Sequence, residues 1–182
     1  MLMRASWMAV LVAVFGLSVP SVAADGGAES LPSFKLKDPA GKEFTDADVR
    51  KAGVVIVVTI PNVKHQDPQK HWVHEISKEK WGADGPKFIL IEDLAQSPYK
   101  DKSMNGMKES YKAGSIPQLL VDDTGDFRRA LGVQQDETNV LVYDKDGRLL
   151  AFEKTSEDLE ELVPKEALQR VHAAIAKLFT AK

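Results

Sequence analysis

The chain has 182 residues, of which 43% are hydrophobic, 28% charged and 7% aromatic, a balance that excludes a disordered chain and fits one globular domain. It has no cysteine, which removes disulfide scaffolds, cysteine-type zinc sites, thiol nucleophiles, thiol–disulfide exchange and thiol peroxidation. A formal net charge of −3 lacks the clustered lysine and arginine that phosphates require, so nucleic acid is not an expected partner.

Residues 1–24 hold one charge, Arg4, ahead of an apolar run from Trp7 to Val19. Pro20 breaks that run, and Val22-Ala23-Ala24 supplies small residues ahead of a predicted cut before Asp25. This is the pattern of a signal peptide, and it predicts a periplasmic or secreted protein. An uncleaved segment would be the chain's one means of membrane attachment. Residues 25–32 read as a polar linker and 33–182 as a single domain without internal repeats.

Within that domain, Phe34 to Lys37 is extended and runs into the Asp38-Pro39-Ala40-Gly41 turn. Thr45 with Asp46 and Asp48 predicts one or two helical turns over 46–51, closed by Gly53. Val54 to Ile60 is a β-branched run, apolar on both faces, as a strand covered on both sides requires. Residues 68–81 form a helix with Trp72, Val73 and Ile76 on one face, capped by Asp67. Phe88 to Ile91 is a second buried strand, with Glu92-Asp93 as its boundary. Met104, Met107 and Tyr111 give the next helix an apolar stripe.

Gln118 to Val121 is a third strand, followed by the turn Asp122-Asp123-Thr124-Gly125 and a short helix over 126–131. Asn139 to Tyr143 and Arg148 to Phe152 flank Asp144-Lys145-Asp146-Gly147, a hairpin signature. A capped segment near Ser156 precedes a final helix from Pro164, with Leu168, Val171, Ile175 and Leu178 on one stripe. Strands alternating with helices and closed by a hairpin predict an α/β fold, a mixed central sheet flanked by helices on both faces.

Four strings in this order resemble the thioredoxin-like superfamily, in its peroxiredoxin and thiol-disulfide reductase branch. They are Leu36 to Lys42 (LKDPAGK), Val54 to Ile60 (VVIVVTI), Leu119 to Val133 (LLVDDTGDFRRALGV) and Val140 to Arg148 (VLVYDKDGR). The stretch from Leu119 to Lys145, with the closing helix, is most similar to the YtfJ family of small exported bacterial proteins. The resemblance implies a thioredoxin-like fold over roughly residues 32–180. It also places Lys64 and Asp67 where the two redox cysteines would stand, and Thr138 where the family's cis proline precedes the hairpin strand. None of these three can carry electrons, so the expected role is binding rather than catalysis, with a protein or peptide of the bacterial cell envelope as partner. The vestigial groove would be formed by 62–71 and 136–139.

A second reading comes from the histidines. His71 and His74 stand at i and i+3 on the polar face of the 68–81 helix, and His65 lies in the loop before it. With Asp67 this set offers nitrogen and oxygen ligands suited to Zn or Cu(II), while a solvated helix face explains the same spacing. Without metal, no cofactor is expected. His172 falls beside the last helix's apolar stripe as a structural residue, and Trp81 is placed near His74 as a partly exposed binding residue. No G-x-S-x-G elbow and no phosphate-binding glycine loop occurs.

Overall fold

The computed structural model describes residues 27–62, 66–155 and 162–180. The predicted signal peptide, Lys64, His65 and the segment beginning at Ser156 lie outside them. No helix among the described residues is long and apolar enough to cross a membrane. The chain runs β1 (Lys35–Lys37), β2 (Glu43–Thr45), α1 (Asp46–Arg50), β3 (Val54–Thr59), α2 (Gln66–Ile76), β4 (Lys87–Asp93), α3 (Lys100–Ser110), β5 (Gln118–Asp122), α4 (Asp126–Leu131), β6 (Thr138–Tyr143), β7 (Leu149–Thr155) and α5 (Lys165–Thr180).

Seven strands form one mixed sheet in the order β2-β1-β5-β4-β3-β6-β7. β3, β4 and β5 are parallel, whereas β6 runs antiparallel to β3 and to β7. Every residue of β3 and β6 is buried, the apolar runs Val54–Val58 and Val140–Tyr143 together with the polar Thr59, Thr138 and Asn139 at one end. Side chains alternate across the sheet, so each strand feeds two cores. Val54, Ile56, Val58, Ile89, Ile91, Leu120 and Leu141 pack with Val49 of α1 and with Phe127 and Leu131 of α4. Val55, Val57, Phe88, Val140 and Val142 pack with Trp72 and Ile76 of α2 and with Val171, Ile175 and Leu178 of α5. Gly53 opens β3 at φ +83, and a Cβ there would come within 2.9 Å of the Tyr143 carbonyl oxygen and Leu178 Cδ2.

Four differences from the sequence reading have local causes. The three-residue strand β2 pairs with β1 as an edge, where the alternation of Glu43-Phe44-Thr45 is too short to stand out. Residues 27–31 dock on the sheet: Leu31 is buried, its N–H donates to Gly147 O at 2.7 Å, and the Tyr143 hydroxyl donates to Ala28 O at 3.0 Å. α2 stops at Ile76, whose carbonyl accepts the Trp81 indole N–H at 3.3 Å, so Trp81 leaves the helix and stacks on Phe88. No residue of α3 is fully buried, because a cleft of about 410 Å³ separates Met104 and Lys108 from β1.

Candidate functional site

The C-terminal ends of β3, β4 and β5 and the start of β6 meet at one end of the sheet, where ligands of open α/β folds are usually held. Among the described residues, 60–62 after β3, the first turn of α2 and the 134–138 loop lie at this end. Asn139 holds the last of these, its amide donating to Gln134 O at 2.7 Å and Glu137 O at 2.9 Å. The cis peptide among the described residues joins Ile116 to Pro117 at the start of β5, the opposite end of the sheet.

Strand register brings a row of polar side chains to the α2 face at this end. Thr59 continues the inward series Val55 and Val57, Glu92 continues Phe88 and Leu90, and Thr138 precedes Val140 and Val142. Thr59 is the register partner of Glu92. Because Val58 faces Asn139, Thr138 comes level with Thr59, and Thr138 in turn faces Thr155. Glu92, Thr59, Thr138 and Thr155 therefore cross β4, β3, β6 and β7 in one line.

All four are buried, with Glu92 the most exposed at 6%. Trp72 Nε1 donates to Thr155 Oγ1 at 2.9 Å, and Gln69 Nε2 donates to Glu92 Oε1 at 2.5 Å. Among the described residues, Thr59 Oγ1, Thr138 Oγ1 and Glu92 Oε2 have no hydrogen-bond partner. Three such atoms on neighbouring strands carry an energetic cost that ordinary packing does not compensate. Burial pushes the Glu92 carboxyl up to about 7, opposed only by the Gln69 amide.

On the other face, Asp93 and Asp122 are equally buried but satisfied. Arg128 Nε meets Asp93 Oδ2 at 2.6 Å, while Asp122 accepts the N–H groups of Gly125 and Arg128 at 2.8 Å each and so caps α4. Desolvation still raises Asp122 above the usual carboxylate range. The turn reading of Asp122 to Gly125 holds, as does that of Asp144, whose Oδ1 accepts from Asp146 and Arg148.

Of the three positions equated with redox groups, Thr138 is buried at the start of β6 and Asp67 is exposed in the first turn of α2. Lys64 lies outside the described residues. Asp67 stands inside the helix rather than at its cap, since α2 already begins at Gln66. His71 and His74 are exposed on α2, as expected of its polar face, with His65 outside the described residues. Among the described residues no three histidine or carboxylate side chains converge on a metal position. His172 is half-buried, its Nδ1 3.2 Å from Glu79 Oε1. Trp81 sits at the far end of the sheet between Phe88 and Phe179, which corrects its placement beside the groove.

Glu92 escaped the sequence reading because Glu92-Asp93 looks like a strand boundary. The usable signal was the alternation itself, which sends residue 92 to the side of Phe88 and Leu90.

No protein-family model and no curated protein sequence matches the chain. Solved structures do. A candidate thiol:disulfide interchange protein DsbE from Chlorobium tepidum superposes with a TM-score of 0.59 at 16% identity, over 83% of this chain and 98% of its own. BsSco, a member of the Sco family of cytochrome c oxidase assembly proteins, gives 0.57 at 11% identity over 87% and 98%. The exposed lipoprotein thioredoxin Etrx1 of Streptococcus pneumoniae gives 0.54 at 18% identity over 80% and 99%. At these identities the likeness shows the fold alone, and with the mixed sheet and its two helical layers it establishes that this cysteine-free chain has the thioredoxin-like fold.

Proposed function

We propose that the chain is an exported, redox-inactive binding module of the bacterial cell envelope, which holds a protein or peptide partner in the groove between residues 60–62, the first turn of α2 and the 134–138 loop. The observation that carries this reading is a thioredoxin-like fold with no cysteine and with Thr138 at the position equated with the family's proline. The apolar leader with its small-residue cut site supports export, as does the likeness to Etrx1, an exposed lipoprotein. The likeness of Leu119 to Lys145 to the YtfJ family supports the same address.

A photo-crosslinking residue placed at Asp136, exposed on the groove's rim, tests this in cells. A discrete partner adduct is expected from position 136 and none from position 145, in the exposed hairpin turn at the other end of β6. Equal adducts from both positions, or none from position 136, overturn the groove assignment. Metal handling by His65, His71 and His74 is the alternative. What favours it is that both helical histidines are exposed and stand three residues apart on α2.

A further inference from the structure

We propose that Glu92 and Gln69 form a latch that holds the first turn of α2 against the sheet in acid and releases it as the medium approaches neutrality, so that ambient pH governs access to the groove. The proposal rests on the groove reading for its biological meaning and on independent geometry for its mechanism. Gln69 Nε2 donating to Glu92 Oε1 is the polar tie between that turn and the sheet. Glu92 Oε2 is buried with no hydrogen-bond partner among the described residues, and so are the hydroxyls of Thr59 and Thr138 on the neighbouring strands.

A protonated carboxyl suits that position, because Oε1 can accept from Gln69 while a neutral Oε2 costs far less to bury without a partner than a charge does. An ionised carboxylate does not, since a single amide donor is too little for a buried charge. Gln69, which covers Oε1, is itself only half-buried, in a turn that carries two exposed residues, Gln66 and Asp67.

No charged side chain among the described residues compensates Glu92. On β4 and β5, Asp93 and Asp122 point to the opposite face with Arg128. On α2, Asp67, Lys70, His71 and His74 are exposed. α3 turns Lys100 to Asp123 and Ser103 to the Pro61 carbonyl. Near β6 and β7, Glu137 pairs with Lys154 and Glu153 with Arg170 of α5. Burial drives the carboxyl from an ordinary 4.5 to about 7, so opening is linked to losing one proton between those values.

The test is amide hydrogen exchange by NMR on the exported protein, as cells process it, followed from pH 4.5 to 7.5. Lys70, His71 and Trp72 report on the turn, because their N–H groups bond the carbonyls of residues 66, 67 and 68. After correction for intrinsic base catalysis, protection at these amides should fall by up to ~300-fold over this range and level off above pH 7. The Glu92→Gln variant, which keeps the acceptor for Gln69, should show no such trend. An unchanged trend in the variant, or a flat profile in the wild type, overturns the latch. Carbon-13 NMR of the wild-type Glu92 carboxyl provides a second arm: a midpoint in the ordinary glutamate range also overturns it. A flat exchange profile alongside crosslinks confined to position 136 removes the latch and leaves the groove; the reverse pair of results removes the groove alone.

Discussion

Replacing Glu92 by Gln should change not the amount of stability alone but its dependence on pH. The carboxyl is raised in the folded state, from an ordinary value of 4.5 to about 7, so between those values the native protein binds more protons than the unfolded chain. Stability linked to this group is therefore complete below pH 4.5, declines as pH rises, and is exhausted above pH 7. A pKa difference of that size corresponds to roughly 3 kcal/mol for a fully buried group, an upper bound because opening of the α2 turn relieves part of the strain of burying the charge. Urea unfolding at pH 4.5, 6 and 7.5 should show the wild type losing up to about 3 kcal/mol relative to Glu92→Gln across the series. Differencing the two proteins cancels the exposed carboxylates and histidines, which titrate alike in both. A constant difference across the series would refute the reasoning, since it would mean that Glu92 titrates equally in folded and unfolded chains.

Two further outcomes are expected. Arg128→Ala leaves Asp93, which is fully buried, without its cation and should cost about 3 kcal/mol or more; for a chain of this size that is a fall in melting temperature of roughly 10 °C in a thermal shift assay. Calorimetric titration of untagged protein with Zn(II) or Cu(II) separates the two functional readings. The groove reading predicts only heats of dilution, whereas a site tighter than micromolar that is lost in His71→Ala/His74→Ala would establish metal handling instead.

Much of the fold was legible because its strands are written in unambiguous residue types. Val54 to Ile60 is too short and too β-branched to be a helix, and Asp146-Gly147 between apolar alternations specifies the β6–β7 hairpin. α4 was legible because the turn Asp122 to Gly125 precedes it; the structure adds that Asp122 accepts its first N–H groups and that Gly132 ends it in the left-handed conformation. What escaped depends on distant partners. β2 exists because β1 is there to pair with it, and the end of α2 is fixed by Trp81 finding Phe88 and Phe179. The polar row is a still clearer case. Thr59, Glu92, Thr138 and Thr155 are far apart in sequence, and each alone is an ordinary strand-end residue. Only the register of four strands makes them neighbours.

The two faces of the sheet at this end receive the same chemistry and treat it differently. Glu92 and Asp93 are consecutive residues of β4, so the pleat sends one carboxylate to each face. Asp93 meets the Arg128 guanidinium and the Ala95 N–H at 2.9 Å, and its neighbour Asp122 caps a helix. On that face the charge is built into the structure. Glu92 receives one amide, and among the described residues its second oxygen and the Thr59 and Thr138 hydroxyls have no partner. A chain selected for stability alone would fill this row with valine, as β3 does at positions 54, 55, 57 and 58. Its position under the first turn of α2, at the end of the sheet where this fold places its chemistry, argues that the polar row is kept for what that turn does.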